Sequence, residues 1–380
     1  MKICDVVKNS IWNDPRVRKQ IISYTENGVD LFCVGIKSKD YNEEEVKKIP
    51  CPVKLEEVNS KLRNANISVF KKIWREISVN KAIVKTIVEG NPDVIHANDL
   101  NALVPAYKAA KKIKCKLVYD THEVFLENAG VVSNKVMKFI WGYYERKIVK
   151  KLDLMVCVSH AASDYFAEKY KIEKPMVVTN CALKSEEVDK ISIEKNDGFE
   201  VLNHGKFYSG RGYETMVDAC ALVSDMPEIK LVVRGFGELE GAIREKAEKL
   251  KNKEQFKIYP PVLVKDMITS AAKSRVGVAI TVPYCLNFKL SVSNKIFEYA
   301  SAGLPVIMSD IPEHRYLNDK YGIGIVLREN TAECLAEAVR KFYNDRELYD
   351  RCVAGVEKMS MEVTWENEFK KLIDAEKKMV

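Results

Sequence analysis

No stretch of this 380-residue chain approaches the roughly 18 consecutive apolar residues of a membrane span. The opening MKICDVVKNS has neither the apolar core nor the small-residue cleavage site of a signal peptide. The ten cysteines are scattered singly from Cys4 to Cys352, and none falls in a C-x-x-C pair, which removes zinc-knuckle and thioredoxin motifs. The five histidines include no H-x-x-x-H pair. Gly235-Phe236-Gly237 has Glu240 where a nicotinamide fingerprint carries its third glycine, which disfavours a dehydrogenase. Low-complexity tracts, short-period repeats and nucleic-acid motifs are also missing. These absences lead us to expect a cytoplasmic protein with reduced thiols, needing no cofactor or metal ion and binding no nucleic acid.

What is present is an ordinary globular composition, 47% apolar and 30% charged, with length enough for two or three domains. The net charge of +7 is uneven. Residues 1–190 hold 33 Lys and Arg against 25 Asp and Glu, and residues 191–380 hold 28 against 29. The whole basic excess therefore lies in the first half, which suits an anionic partner such as phosphate or lipid headgroups.

Short β-branched apolar runs alternate with segments of helical spacing, the signature of parallel sheets covered on both faces. Runs at Ile3–Val7, Val29–Ile36, Val94–Ala97, Leu117–Tyr119, Leu154–Val158 and Met176–Thr179 predict the strands of the first half. The polar stretch Lys184–Gly198 reads as a linker. The rhythm restarts with Glu200–Asn203, Lys230–Val233, Phe256–Tyr259, Val276–Thr281, Val306–Met308 and Gly324–Leu327. The expected fold class is α/β, with two Rossmann-like doubly wound domains in tandem. Their expected limits are residues 1–190 and 191–363, with an amphipathic helix over 364–380 returning to the first. Ligands of such sheets bind at the carboxyl ends of strands, so the chemistry is sought there.

Four such places stand out. His204-Gly205-Lys206-Phe207-Tyr208-Ser209-Gly210-Arg211-Gly212 joins a strand to a helix, and its glycines let backbone N–H groups and the helix N-terminus approach an anion. Lys206 and Arg211 can neutralise a diphosphate there, although an exposed turn with two solvated bases accounts for them equally well. Arg234-Gly235-Phe236-Gly237 is either a tight turn or a close approach to ligand. In the run from Ser293 to Val306, Ser293 suits an N-cap and Gly303 a helix stop. Glu298, among apolar neighbours near that helix's N-terminus, suits a vicinal diol better than packing, though a carboxylate near the helix dipole is also ordinary. In the first half, Tyr119-Asp120-Thr121-His122-Glu123 and Ile95-His96-Ala97-Asn98-Asp99 put polar groups at strand ends. A lone histidine is more often structural than catalytic; His122, flanked by carboxylates, is better placed than His96.

In this order the residues resemble the retaining family 4 glycosyltransferases of the GT-B fold. The pieces are Asn13-Asp14-Pro15-Arg16-Val17, VIHANDL, KLVYDTHEVF, VCVSHAAS, VVTNCA, HGKFYSGRGYETM, VVRGFG, SNKIFEYASAGLPVIMSD and GIGIVL, with TWENEFKKL closing the chain. The resemblance implies two domains facing across a cleft. It implies that Lys206 and Arg211 grip a donor diphosphate, with Gly205, Gly235 and Gly237 in the donor-binding turns. It assigns Glu298 to the ribose, Ser293, Asn294 and Lys295 to the loop along the sugar and distal phosphate, and His122 to the donor sugar. Asn13, Asp14, Arg16 and Asp99 fall on the acceptor side. One departure is plain. Leu290 stands where many relatives have a second glutamate, so Asn287, Lys289 or backbone amides would have to receive the sugar hydroxyls.

The expected reaction moves a hexosyl group from a UDP- or GDP-linked sugar to a hydroxyl of a glycan or lipid-linked acceptor, without a metal. Residues 60–85 and 135–151 pair bases with aromatics at helical spacing, which fits either an anionic membrane surface or a solvated face over an ordinary core. The alternatives are a GT-B sugar-nucleotide epimerase, for which no acid–base set is evident, and a non-enzymatic module binding a nucleotide sugar or polyanion.

Overall fold

The computed structural model describes residues 1–38, 41–57, 69–183 and 193–380, except the side chains of 69–73. The chain divides into two compact units, Met1–Thr179 with Glu368–Val380, and Asn180–Asn367. The expected boundary at 190/191 and most of the expected linker lie outside the described residues.

Among the described residues the first unit is built on seven strands: β1 (Lys2–Val6), β2 (Asp30–Ile36), β3 (Val53–Glu56), β4 (Val94–Asn98), β5 (Lys116–Thr121), β6 (Leu154–Cys157) and β7 (Met176–Val177). All pair in parallel, in the order β3-β2-β1-β4-β5-β6-β7. The central strands β1 and β4 are buried on both faces, and their buried residues are apolar but for Asp5 in β1 and His96 and Asn98 in β4. Strand β3 is not evident from the sequence. Its VKLE alternates weakly, and it sits at the sheet edge with no second apolar face to declare it. The Pro15–Glu26 helix begins with proline at its first turn and with Asp14 as N-cap.

The second unit has β8 (Phe199–Lys206), β9 (Ile229–Phe236), β10 (Phe256–Tyr259), β11 (Val276–Ala279), β12 (Val306–Ser309) and β13 (Gly324–Leu327). Their order is β10-β9-β8-β11-β12-β13, again all parallel. Each sheet therefore changes winding direction once, between β1 and β4 and between β8 and β11, and such switch points open a crevice at the strands' carboxyl ends.

Strands β8 and β9 run three residues beyond their apolar cores. His204, Gly205 and Lys206 stay in register with Arg234, Gly235 and Phe236, so the first residues of the expected anion loop belong to a strand. This pairing needs glycine at 235. Its φ is +148°, and a Cβ there would lie 1.8 Å from the Gly205 carbonyl oxygen. Backbone contact thus accounts for Gly235 without any ligand. The same holds at Gly237, where a Cβ would meet the Phe207 backbone at 2.6 Å.

The closing helix, Trp365–Lys377, starts in the second unit, where Trp365 is buried and donates its N–H to the Ala182 carbonyl at 3.0 Å. Within the first unit it buries Phe369, Leu372, Ile373 and Glu376. Phe369 meets the Tyr24 ring edge to face at 4.9 Å, and Glu368 accepts the Thr179 N–H at 2.9 Å.

Gly235→Ala should cost on the order of 3 kcal/mol or more in stability. Gly241→Ala, in a helix with nothing within 4 Å of the added carbon, should be neutral or gain up to about 1 kcal/mol. Denaturant unfolding of both variants checks this; equal effects would contradict the register argument.

Candidate functional site

The candidate residues fall into two groups, one in each unit. In the second, Asn203 and His204 are carried into the sheet end by β8 and are almost fully buried. Asn203 donates through Nδ2 to the Arg211 carbonyl at 3.0 Å, and its Oδ1 accepts from Lys295 Nζ at 2.7 Å. The turn from Phe207 to Gly212 is thereby tied to strand and helix at once. Val282 N–H closes it from the other side, donating to the Gly210 carbonyl at 2.9 Å. Arg211 reaches across the β8/β11 switch to Thr281 Oγ1 at 3.2 Å and lies over the Phe288 ring at 4.9 Å. Lys206, by contrast, is exposed, with Nζ over the Tyr208 ring at 4.8 Å. A Cβ at Gly205 would lie 3.4 Å from Tyr213 Oη and 3.5 Å from the Lys295 side chain.

The Asn294–Ser301 helix presents its N-terminus to the same strand ends. Ser293 occupies the N-cap position, but its hydroxyl caps nothing. Its backbone N–H instead donates to Nε2 of the buried His314 at 3.4 Å, while His314 Nδ1 faces the Ser309 carbonyl at 3.0 Å. That bonding needs a neutral ring with Nδ1–H, and burial lowers the His314 pKa to about 4. Asn294 is exposed. Lys295 turns inward, its ammonium between Asn203 and Tyr213 Oη at 3.3 Å. Burial and then Arg211 push its pKa down to about 7, against the pull of Glu298. Its charge therefore lies beneath the Gly205 turn, away from the surface.

Glu298 Oε2 accepts from His204 Nε2 at 2.7 Å, and His204 stacks on Tyr299 at 4.6 Å between ring centroids. Bonded that way, His204 leaves Nδ1 buried with no hydrogen-bond partner among the described residues. One Glu298 oxygen is thus held from behind while the side chain stays partly exposed. A hydrogen bond to a charged group contributes about 1.5–3 kcal/mol, enough to fix the carboxylate before any ligand arrives. His204 stood in the sequence motif without a role; its signal was a histidine at the end of an apolar strand. Asn287 and Leu290 are buried. Lys289 lines a pocket of about 600 Å³ with Asp310, Arg315 and Tyr316.

The first-unit group centres on Asp120, at the end of β5. Arg16 donates to its Oδ1 at 2.9 Å, and both His96 and His122 approach Oδ2, at 3.5 and 3.8 Å. Burial alone would raise the Asp120 carboxyl, but Arg16 and then the histidines hold it well below the usual carboxylate range. His122 Nε2 pairs with Asn98 Oδ1 at 3.0 Å, and its backbone N–H donates to Asp99 Oδ1 at 3.1 Å. Burial, then Arg16, lowers the His122 pKa to about 3, so the ring is neutral with Nδ1 left as an acceptor. Asp99 has φ +65°, and burial with Glu123 nearby raises its carboxyl to about 7. Asp14 is engaged structurally, accepting from Val17 N–H at 3.2 Å and from Asn9 Nδ2 at 2.9 Å. Asn13 lies exposed in the preceding turn. His96, ranked below His122 in the sequence, is the most enclosed of the group, and Glu376 from the closing helix was not singled out at all. Its signal was an acid on the apolar stripe of that helix, seven residues after Phe369.

The Lys135–Val149 helix buries Glu145, Ile148 and Val149 and turns several other apolar residues outward. Phe139 is 77% exposed, and Val136, Met137, Ile140 and Tyr143 are exposed beside it. Trp74, at 66%, and Ile77 do the same on the Val69–Gly90 helix. Lys61 and Arg63, and the side chains of Phe70, Lys71, Lys72 and Ile73, lie outside the described residues. Among the described residues no helix is long and apolar enough to cross a membrane, and no group of three His, Cys, Asp or Glu is arranged to hold a metal ion.

Comparison with known proteins agrees with both units. The family described as Glycosyltransferase Family 4 matches residues 25–185, and that described as Glycosyl transferases group 1 matches residues 184–359. No curated protein sequence matches. Among solved structures, the chain is similar to a glycosyltransferase from Rickettsia africae ESF-5, with TM-score 0.78 at 16% identity, covering 100% of this chain and 98% of that one. It is similar to Anabaena Alr3699/HepE in complex with UDP and glucose, with TM-score 0.75 at 14% identity and 100% of both chains covered. It is also similar to sucrose-phosphate synthase from Thermosynechococcus elongatus, with TM-score 0.74 at 12% identity, covering 100% of this chain and 99% of that one.

Proposed function

Because the chain belongs to the family 4-type glycosyltransferases of the GT-B fold, we propose that it transfers a hexosyl group from a UDP-linked sugar to a hydroxyl acceptor, with retention and without a metal ion. The observation that carries this reading is the second-unit group. Lys206, Arg211 and the N-terminus of the Tyr213–Leu222 helix meet at the β8/β11 switch, with Glu298 fixed by His204 beside them. Cations and a helix N-terminus suit a diphosphate, and a carboxylate with one oxygen tied back suits a ribose diol. The choice of UDP over GDP is supported by similar structures solved with UDP, namely Anabaena HepE and S. aureus TarM.

In the proposed step the bond from the anomeric carbon to the phosphate oxygen breaks, and the acceptor oxygen bonds to that carbon on the same face. The acceptor proton passes to the departing phosphate. Charge develops on the diphosphate, where Lys206 and Arg211 stabilise it; groups fixed in place for such charge are worth orders of magnitude in rate. His122, neutral and held by Asn98, receives a sugar hydroxyl at Nδ1 and takes no part in proton transfer. Lys289 and backbone amides around Leu290 take the place of the second glutamate. The acceptor is a glycan or lipid-linked hydroxyl, reached at an anionic membrane through the outward face of residues 135–151 and, in part, residues 60–85. The bases Lys135, Arg146, Lys147 and Lys150 are exposed on or beside the first of these helices.

Lys206→Ala should lower turnover by about a hundredfold or more with the unfolding midpoint unchanged; near-normal turnover with every nucleotide sugar would sink the donor-site assignment. Phe139→Ser with Ile140→Ser should abolish co-sedimentation with anionic vesicles. Equal binding by wild type and variant, or by anionic and neutral vesicles, would remove the membrane contact.

A further inference from the structure

Glu376 is the last acidic residue of the closing helix, and its carboxylate is completely buried in the first unit. An acid so placed is tolerated only when it is paired and hydrogen-bonded. Tyr24 Oη donates to both its oxygens, at 2.8 and 2.7 Å, and His96 Nδ1 lies 2.9 Å from Oε1. On the other side of the His96 ring, Nε2 faces Asp120 Oδ2 at 3.5 Å and the Gln20 amide nitrogen at 2.8 Å. Two nitrogens cannot both donate, and Gln20 Oε1 has no partner. For the ring to donate toward both carboxylates the amide must be reversed, so that Oε1 accepts from His96 Nε2–H.

His96 then donates from both ring nitrogens, as an imidazolium between two carboxylates. Burial opposes that charge, yet the bonds to Asp120 and Glu376 raise the His96 pKa to about 10. The groups facing it are Tyr24 and Gln20 from the Pro15–Glu26 helix, Glu376 from the closing helix, Asp120 from β5 and, electrostatically, Asp5 from β1. Asp5 is itself raised to about 7, chiefly by burial. Charge therefore alternates along one buried line, from Glu376 through His96 to Asp120 and Arg16, and Asp120 is also the carboxylate beside His122.

We propose that Glu376 is a positioning residue for His122, acting through His96 and Asp120. The closing helix, remote in sequence from β5, thereby sets the orientation and protonation of a residue at the end of that strand. Without Glu376, His96 has one anion instead of two and gives up its proton. Asp120 then loses one of the two cations that hold it, and the field at the His122 ring changes. The consequence for turnover rests on the role of His122 in the proposed transfer; the consequence for the ring does not.

The test uses the full-length protein carrying Glu376→Gln, with Glu368→Gln as comparison, since Glu368 docks the same helix through the Thr179 N–H. Steady-state kinetics is paired with ¹⁵N spectra of the histidine rings from about pH 5 to about pH 9. In the wild type His96 stays doubly protonated and His122 stays neutral across that range. In Glu376→Gln, His96 titrates within it, the His122 signals move, and kcat falls about tenfold or more while the donor KM stays within about twofold. Glu368→Gln lowers the unfolding midpoint and leaves both rings and kcat as in the wild type. Should Glu376→Gln not fold, Tyr24→Phe, which removes only the hydroxyl on Glu376, shows the same changes in smaller degree. Unmoved His122 signals with unchanged kcat, or equal effects from Glu368→Gln, would overturn the proposal. A wild type that transfers no sugar from any nucleotide sugar would instead defeat the proposed function, and the ring spectra would still decide the relay.

Discussion

Strand β8 can lie beside β9 at its carboxyl end only because residue 235 has no side chain. With the Gly205 carbonyl oxygen 1.8 Å from where a Cβ would stand, any other residue would part the two strands where the candidate site begins. Much of the second unit's geometry follows from that approach. It carries His204 to the sheet end, within reach of Glu298, and it puts Asn203 where its amide holds both Lys295 and the turn before the Tyr213–Leu222 helix. Lys206 then stands exposed on the strand end, and Arg211 in the following turn is braced against Thr281. Rigidity of this kind is what electrostatic stabilisation of a leaving group requires, because nothing has to reorganise as the charge develops.

The first unit solves a different problem. Its strand ends bury several ionisable groups, and burial of any one alone would be prohibitive. They are tolerated because they alternate in sign and share hydrogen bonds, from Arg16 and Asp120 to His96 and Glu376. His122 stands at the edge of this network and is kept neutral chiefly by burial, with Arg16 adding to it and Asp120 opposing. A neutral ring with one nitrogen already bonded can accept from a hydroxyl but is a poor acid or base, which fits a mechanism in which the departing phosphate takes the acceptor proton.

The strands were legible because apolar runs are local signals, and Lys206 and Arg211 were picked out by the glycines around them. Strand β3 was not, since an edge strand with mixed faces resembles a loop. Ser293 read as an N-cap, yet its hydroxyl caps nothing, because the Ile296 N–H donates to the Ser293 carbonyl oxygen at 3.0 Å. Lys295 read as part of a loop along the sugar and distal phosphate, and its ammonium is turned inward; nothing in its neighbours in sequence reveals Asn203. His204 with Glu298, and Glu376 with His96, are pairs separated by long stretches of chain, and only the sheet order brings them together. The apolar stripe of the closing helix was visible, but the acid on it gained meaning only from the strand end it faces.

The central claim is that Glu298, held by His204, binds the ribose of the donor. Calorimetric titration of UDP and of its 2′,3′-dideoxy analogue into wild type and Glu298→Ala tests it directly, as a cycle that isolates one contact. The account predicts that removing the hydroxyls weakens binding about tenfold or more in the wild type and less than about twofold in the variant. An equal loss in both proteins would contradict it.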